Sequence, residues 1–115
     1  MGITLFLRIN MRYRNLTGHE VHELDSGIKL PPEDLVIRAK CKSHSYTNED
    51  GIQCHRTIVA KLSAPLPPQE DGVIYIVSAL TLNGVPSYRT DVVAPKQVER
   101  NSNGQIIGCR GFRHN

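Results

Sequence analysis

Apolar and polar residues alternate along most of this chain, and no helical period runs past about ten residues. Gly, Pro, Asn and Asp interrupt the pattern often, so it predicts short strands joined by turns. The predicted fold class is α+β: a mostly antiparallel β-sheet with hairpins and one or two short helices, in a single small domain. A first strand covers Arg12 to Leu16, "TGH" turns it, and Glu20 to Leu24 returns, ended by "DSG". "LPPED" at 30–34 is an extended connector, because two prolines cannot sit inside a ladder. The clearest hairpin is "LVIRAKCKSHSY", "TNEDG", "IQCHRTIVAKLS". Leu35, Ile37, Ala39, Cys41, Ser43 and Ser45 share one face of its first strand, and Ile52, Cys54, Arg56, Ile58, Ala60 and Leu62 one face of its second. Closing the turn at 48–51 or at 49–52 pairs these two sets. The inner face is then apolar near the base and carries Ser43, Ser45 and Arg56 toward the tip, while Arg38, Lys40, Lys42, His44, His55 and Lys61 lie outside.

After a stiff "APLPPQEDG", the run "VIYIVSA" is apolar on both sides, as a central strand covered on both faces would be. Ser78 to Val85 has room for two turns of helix before Gly84 and Pro86 stop it. "TDVVAP" reads as a short strand. "QVERNSNGQIIGC" reads as a hairpin around Asn103-Gly104, the strongest short-range turn signal in the chain.

Composition changes the picture in three ways. At 115 residues, with 39% apolar residues, 5% aromatics and no Trp, the core is thin, which favours oligomerisation. The net charge of +3 suits an anionic ligand without announcing a DNA-binding protein. The three cysteines, Cys41, Cys54 and Cys109, form no CxxC and point to a reducing compartment rather than a disulfide framework. "MGITLFLRIN" is too short an apolar run for a signal peptide or membrane span. With Met11 opening the patterned region, residues 1–10 are expected to be an extension and 11–115 a single ligand-binding domain.

Three chemistries are worth weighing. Zinc would need Cys41, His44, Cys54 and His55 to converge, but in the hairpin above the two thiols lie on the order of 13 Å apart along one face and the imidazoles point to the other. No metal is expected. A hydrolase has candidate nucleophiles (Ser78, Cys109) and bases (His19, Glu20, His22), but no GxSxG or HExxH spacing links them. On a strand, the two histidines of "HEVH" point to opposite faces. Anion or nucleotide binding fits best. Arg56 on a core-facing position must find a carboxylate, carbonyls or a phosphate. Arg89 and Asp91 straddle Thr90 and point the same way on an extended chain, so they could fork onto a phosphate or ribose or simply pair with each other. Tyr88 offers a stacking face, and "GCRGF" brackets Arg110 with glycines that let backbone approach a ligand.

"NLTGHEV", "PLPPQEDGVIYIVSAL", "RTDVVAP" and "NGQIIGCRGF" occur in this order between residues 11 and 115. The ordered set resembles the first-type Thoeris anti-defence family, phage sponge proteins that sequester the cyclic ADP-ribose isomers made by bacterial TIR-domain enzymes. The resemblance implies an α+β homo-oligomer of the host bacterial cytoplasm, built from dimers or from a trimer of dimers. It implies a nucleotide bound uncleaved at the dimer interface, with cyclic oligonucleotide signals of CBASS, such as cyclic trinucleotides, as a second ligand class for some members. Such ligands need a stacking ring, hydroxyl partners and arginines. Arg56, Tyr88, Arg89, Asp91 and Arg110 meet those needs here, with Phe112 and then Tyr75 behind Tyr88 as the ring, and with Ser78 and Asn83 for base or ribose. No cofactor, membrane or nucleic-acid polymer is expected. The alternatives are a hydrolase of the same signals and a basic protein that binds nucleic acid or a host protein through the Arg38/Lys40/Lys42 face.

Overall fold

Val73–Ile76 is the buried spine of the protein, as its unbroken apolar run requires. The structure, a computed structural model, describes residues 11–115; the expected extension at 1–10 lies outside the described residues. In chain order the strands are β1 (Arg12–Asn15), β2 (Val21–His22), β3 (Lys29–Leu30), β4 (Ala39–Thr47), β5 (Gln53–Leu62) and β6 (Val73–Ile76). After helix α1 (Ala79–Leu82) come β7 (Val92–Pro95), β8 (Val98–Arg100), β9 (Ile106–Cys109) and β10 (Phe112–Arg113). Among the described residues the fold is mostly β with one short helix, so the balance implied by α+β is corrected to a β-dominated one.

β1, β6 and β7 run parallel in the order β1-β6-β7, and β10 closes the sheet antiparallel to β7. Alternation along β6 sends side chains to opposite faces. Tyr75 and Val77 join Leu16, Ile37, Leu82 and Val92 on one side, while Ile76 joins Val21, Val93 and Cys109 on the other. Tyr75 is wholly buried, and its hydroxyl donates to the Pro68 carbonyl at 2.9 Å, which ties the proline linker to the spine.

The expected first hairpin is not formed. β1 pairs with β6, and the returning segment pairs with β3 instead. The cause is Asn15, buried at the end of β1. Its Nδ2 donates to the carbonyls of His19 (2.6 Å) and Leu30 (2.9 Å), and its Oδ1 accepts from the amide and hydroxyl of Thr17. "NLTGH" is therefore a turn built around one side chain, which swings the chain out of the plane of β1. The helix is one turn rather than two: Ser78 caps its start, and Asn83 and Gly84 close it with tightened backbone bonds.

β4 and β5 form the long predicted hairpin, but as an arm pairing with no other strand among the described residues. Its base packs on the body, where Gly84 leaves the space that Val59 and Leu62 occupy; a Cβ there would come within 2.7 Å of Val59. The radius of gyration is 17.6 Å, against about 13 Å for a compact chain of 100 residues. The register also departs from expectation. Ala39 pairs Leu62 and Lys40 pairs Lys61, then the register shifts and Cys41 pairs Val59, leaving Ala60 as the extra residue of a β-bulge. Beyond the bulge even positions face even positions, so every side chain of β5 out to the tip changes sides. Arg56 is not core-facing: it is exposed, opposite His44. Cys41 and Cys54 lie on opposite faces, with His55 on the face of the first and His44 on the face of the second. Among the described residues no group of three His, Cys, Asp or Glu side chains is placed to hold a metal.

Candidate functional site

Ligands of parallel sheets settle outside the carboxyl ends of the strands, where loops diverge and backbone polar groups end. Here the ends of β1, β6 and β7 open into a cleft of about 520 Å³, within the usual range of small-molecule sites of about 300–1,000 Å³. Thr17 comes from the loop after β1, Ser78 from the turn after β6 and Pro95 from the end of β7. The Asn15-centred turn adds His19 and Glu20, β2 adds His22, and β8–β9 supplies an apolar wall of Val98 and Ile106. The back wall needs a glycine: a Cβ on Gly108 would sit 2.7 Å from Leu24 and 2.8 Å from the His22 carbonyl, so any larger residue would push β9 off β2.

The expected separation of the "HEVH" histidines does not hold. His19 and Glu20 precede the two-residue β2 and belong to the loop, so strand alternation never applies to them, and both imidazoles line one cleft. Ser78, Cys109, His19, Glu20 and His22, which no linear motif connects, thus share one site. The two candidate nucleophiles are engaged otherwise. The Ser78 hydroxyl accepts from the Thr81 amide at 3.1 Å and bonds the Thr81 hydroxyl at 2.8 Å. The Cys109 thiol is pushed up from its ordinary range by burial and then by the nearby Glu23 carboxylate, which disfavours the thiolate.

A second cleft of about 470 Å³ lies between the proline linker and the loop after α1, lined by Leu62, Pro65, Leu66, Pro86, Tyr88 and Arg89. Tyr88 stands 77% exposed at its rim. Arg89 is committed elsewhere: its Nε and one Nη fork onto Asp91 at 2.9 and 3.0 Å, and the same Nη donates to the Pro67 carbonyl at 2.7 Å. Asp91 is only 5% exposed. The pairing raises the Arg89 guanidinium pKa, mainly through the Asp91 hydrogen bond and against the cost of burial.

No protein-family model, curated protein or solved structure matches the chain.

The residues selected from the sequence are distributed over the molecule rather than gathered. Ser78 lines the strand-end cleft, while Tyr88 and Arg89 line the second one. Asp91 lies beneath Arg89, and Asn83 is an exposed helix cap. Arg56 is out on the arm. Arg110 bridges Asp25 at 2.6 Å and Glu99 at 3.1 Å on the surface. Phe112 packs beside Tyr13 against the sheet, ring centres 6.0 Å apart. Sequence reasoning passed over Thr17, Val98 and Ile106. The signal for Thr17 was its place just past the end of a strand beside the spine, which requires knowing that β1 is parallel to β6.

Proposed function

We propose that this protein binds and sequesters a small cyclic nucleotide signal, a cyclic ADP-ribose isomer or a related cyclic nucleotide, without cleaving it. The observation that carries the reading is the strand-end cleft, where hydroxyls, imidazoles and a carboxylate converge opposite an apolar wall. Thr17, Ser78 and Glu20 suit ribose hydroxyls, the imidazoles of His19 and His22 suit phosphate oxygens or base edges, and Val98 and Ile106 suit the face of a base. Ser78 is engaged in capping the helix and burial disfavours the Cys109 thiolate, so neither candidate nucleophile is activated by its surroundings, which supports capture over turnover. Val98 and Ile106 also stand half exposed at the rim, so a second copy that closes the cleft would bury them, in keeping with a homo-oligomer. In this reading the protein acts in the host bacterial cytoplasm as a phage anti-defence sponge. No helix of the described residues is long and apolar enough to cross a membrane.

The test is capture and release. The purified protein is incubated with cyclic ADP-ribose isomers and with cyclic trinucleotides, filtered and heat-denatured, and the released material is identified by chromatography. Intact nucleotide in proportion to protein is expected. Linearised product would make the protein an enzyme, and no retained nucleotide from either class would overturn the reading.

A further inference from the structure

The arm carries a charge pattern that neither cleft explains. Because the bulge at Ala60 moves the outer part of β5 by one residue, Arg56 joins the face that already holds Lys40, Lys42 and Lys61. Lys40 stands directly opposite Lys61, a cross-strand pair of like charge that weakens a ribbon. Among the described residues of β4 and β5 there is no carboxylate to offset them; Glu49 and Asp50 sit in the turn at the tip. The same face presents a ring pair, His44 and Tyr46, stacked with centroids 6.3 Å apart and planes 20° from parallel. Tyr46 is exposed, and Ile58 lies beside the pair, half exposed.

We propose that this face of the arm binds single-stranded nucleic acid, with the four cations tracking phosphates and the His44–Tyr46 pair providing the platform on which bases stack. Charge complementarity selects a polyanion, and a second copy offering the same face would meet it with like charge. The ring pair selects a single strand, because a duplex keeps its bases stacked inside and leaves the rings without a partner. Arg56 adds a planar guanidinium that can lie on a base or fork onto a phosphate. This surface is separate from the strand-end cleft and stands or falls independently of the ligand proposed there.

Fluorescence anisotropy of the full chain with labelled oligothymidine, oligouridine and a duplex of equal length tests the proposal across about 50 to 200 mM salt. Both single strands should bind more tightly than the duplex. The log–log salt slope should be about −2 to −3, as three or four neutralised phosphates at about −0.7 each would give. Lys42→Gln combined with Arg56→Gln should make that slope shallower by about 1.4. Tyr46→Ala should weaken single-strand binding roughly tenfold. All three positions are exposed, so thermal unfolding of each variant should match the parent. Absence of salt-dependent binding, or parent-like affinity in the charge variant, would overturn the proposal. So would preference for the duplex with no effect of Tyr46→Ala. Arm variants that convert an oligomer to monomer while leaving strand binding untouched would assign the face to a second copy and equally overturn it.

Discussion

The body and the arm of this protein are built on opposite terms. In the body, buried polar groups are answered: Asn15 uses both ends of its amide, the Tyr75 hydroxyl reaches Pro68, and Asp91 is held by both sides of the Arg89 fork. In the arm, nearly every residue between Lys40 and Lys61 is exposed, the two strands pair only with each other among the described residues, and Lys40 faces Lys61 across them. An isolated two-stranded ribbon is marginally stable at best. Its length and charge are therefore better explained by what it meets than by what it holds together. The four motifs quoted from the sequence fall almost entirely in the body, where "NLTGH" forms a turn, "PLPP" receives Tyr75 and Arg89, and "RTD" is an ion pair. Those motifs fasten the fold and also wall the strand-end cleft, since Thr17, His19, Glu20, Ser78, Pro95 and Ile106 all belong to them.

Substitution should break this contrast most sharply at Arg89. Arg89→Ala leaves Asp91 buried without its partner and the Pro67 carbonyl without a donor, so a loss of about 3–5 kcal/mol in urea unfolding is expected. Parent-like stability would return Arg89 to the list of ligand groups. A smaller, pH-gated effect belongs to Glu23, whose carboxyl is held down to about 2 from 4.5 by Ser26 first, then by the Gly111 amide and the amides of Ser26 and Asp25. Its folded pKa is depressed, so the unfolded chain takes up the proton first as pH falls, and stability drops between about 4.5 and 2. Above that window the contribution is fully present. Thermal unfolding in a pH series should show this drop in the parent and a flatter profile in Glu23→Gln; identical profiles would mean that Glu23 is not the group lost in acid. The smallest effect is expected on the arm. Ser45 meets His55 at 2.9 Å in solvent, and Ser45→Ala should change stability by no more than about 0.5 kcal/mol. A loss comparable to that of Arg89→Ala would show the arm to be an integral part of the core.

The sequence was most legible where structure is local. The apolar run at 73–77 is the central strand, "TDVVAP" is β7, and the Asn103-Gly104 hairpin forms between β8 and β9. The spacing of Arg89 and Asp91 put them on one side of the chain but left open whether they meet a ligand or each other, and the structure pairs them in a buried position. The parallel partnership of β1 and β6 was hidden, because alternation shows which residues share a face and not which strand lies alongside. A single bulge at Ala60 reversed the reading of Arg56, His55 and both hairpin cysteines, since a period-2 argument carries one missed residue all the way to the tip. The cleft was hidden for the same reason as the sheet: Thr17, Ser78 and Pro95 meet only once three strand ends are known to point the same way.

Hydrogen–deuterium exchange of the full chain, with and without saturating cyclic ADP-ribose isomer, tests the central claim most directly. The account predicts added protection over residues 17–22, 78–79 and 106–109, with the proline linker and the segment 86–89 unchanged. Added protection confined to 62–66 and 86–89 would contradict it and move the site to the cleft beside Tyr88.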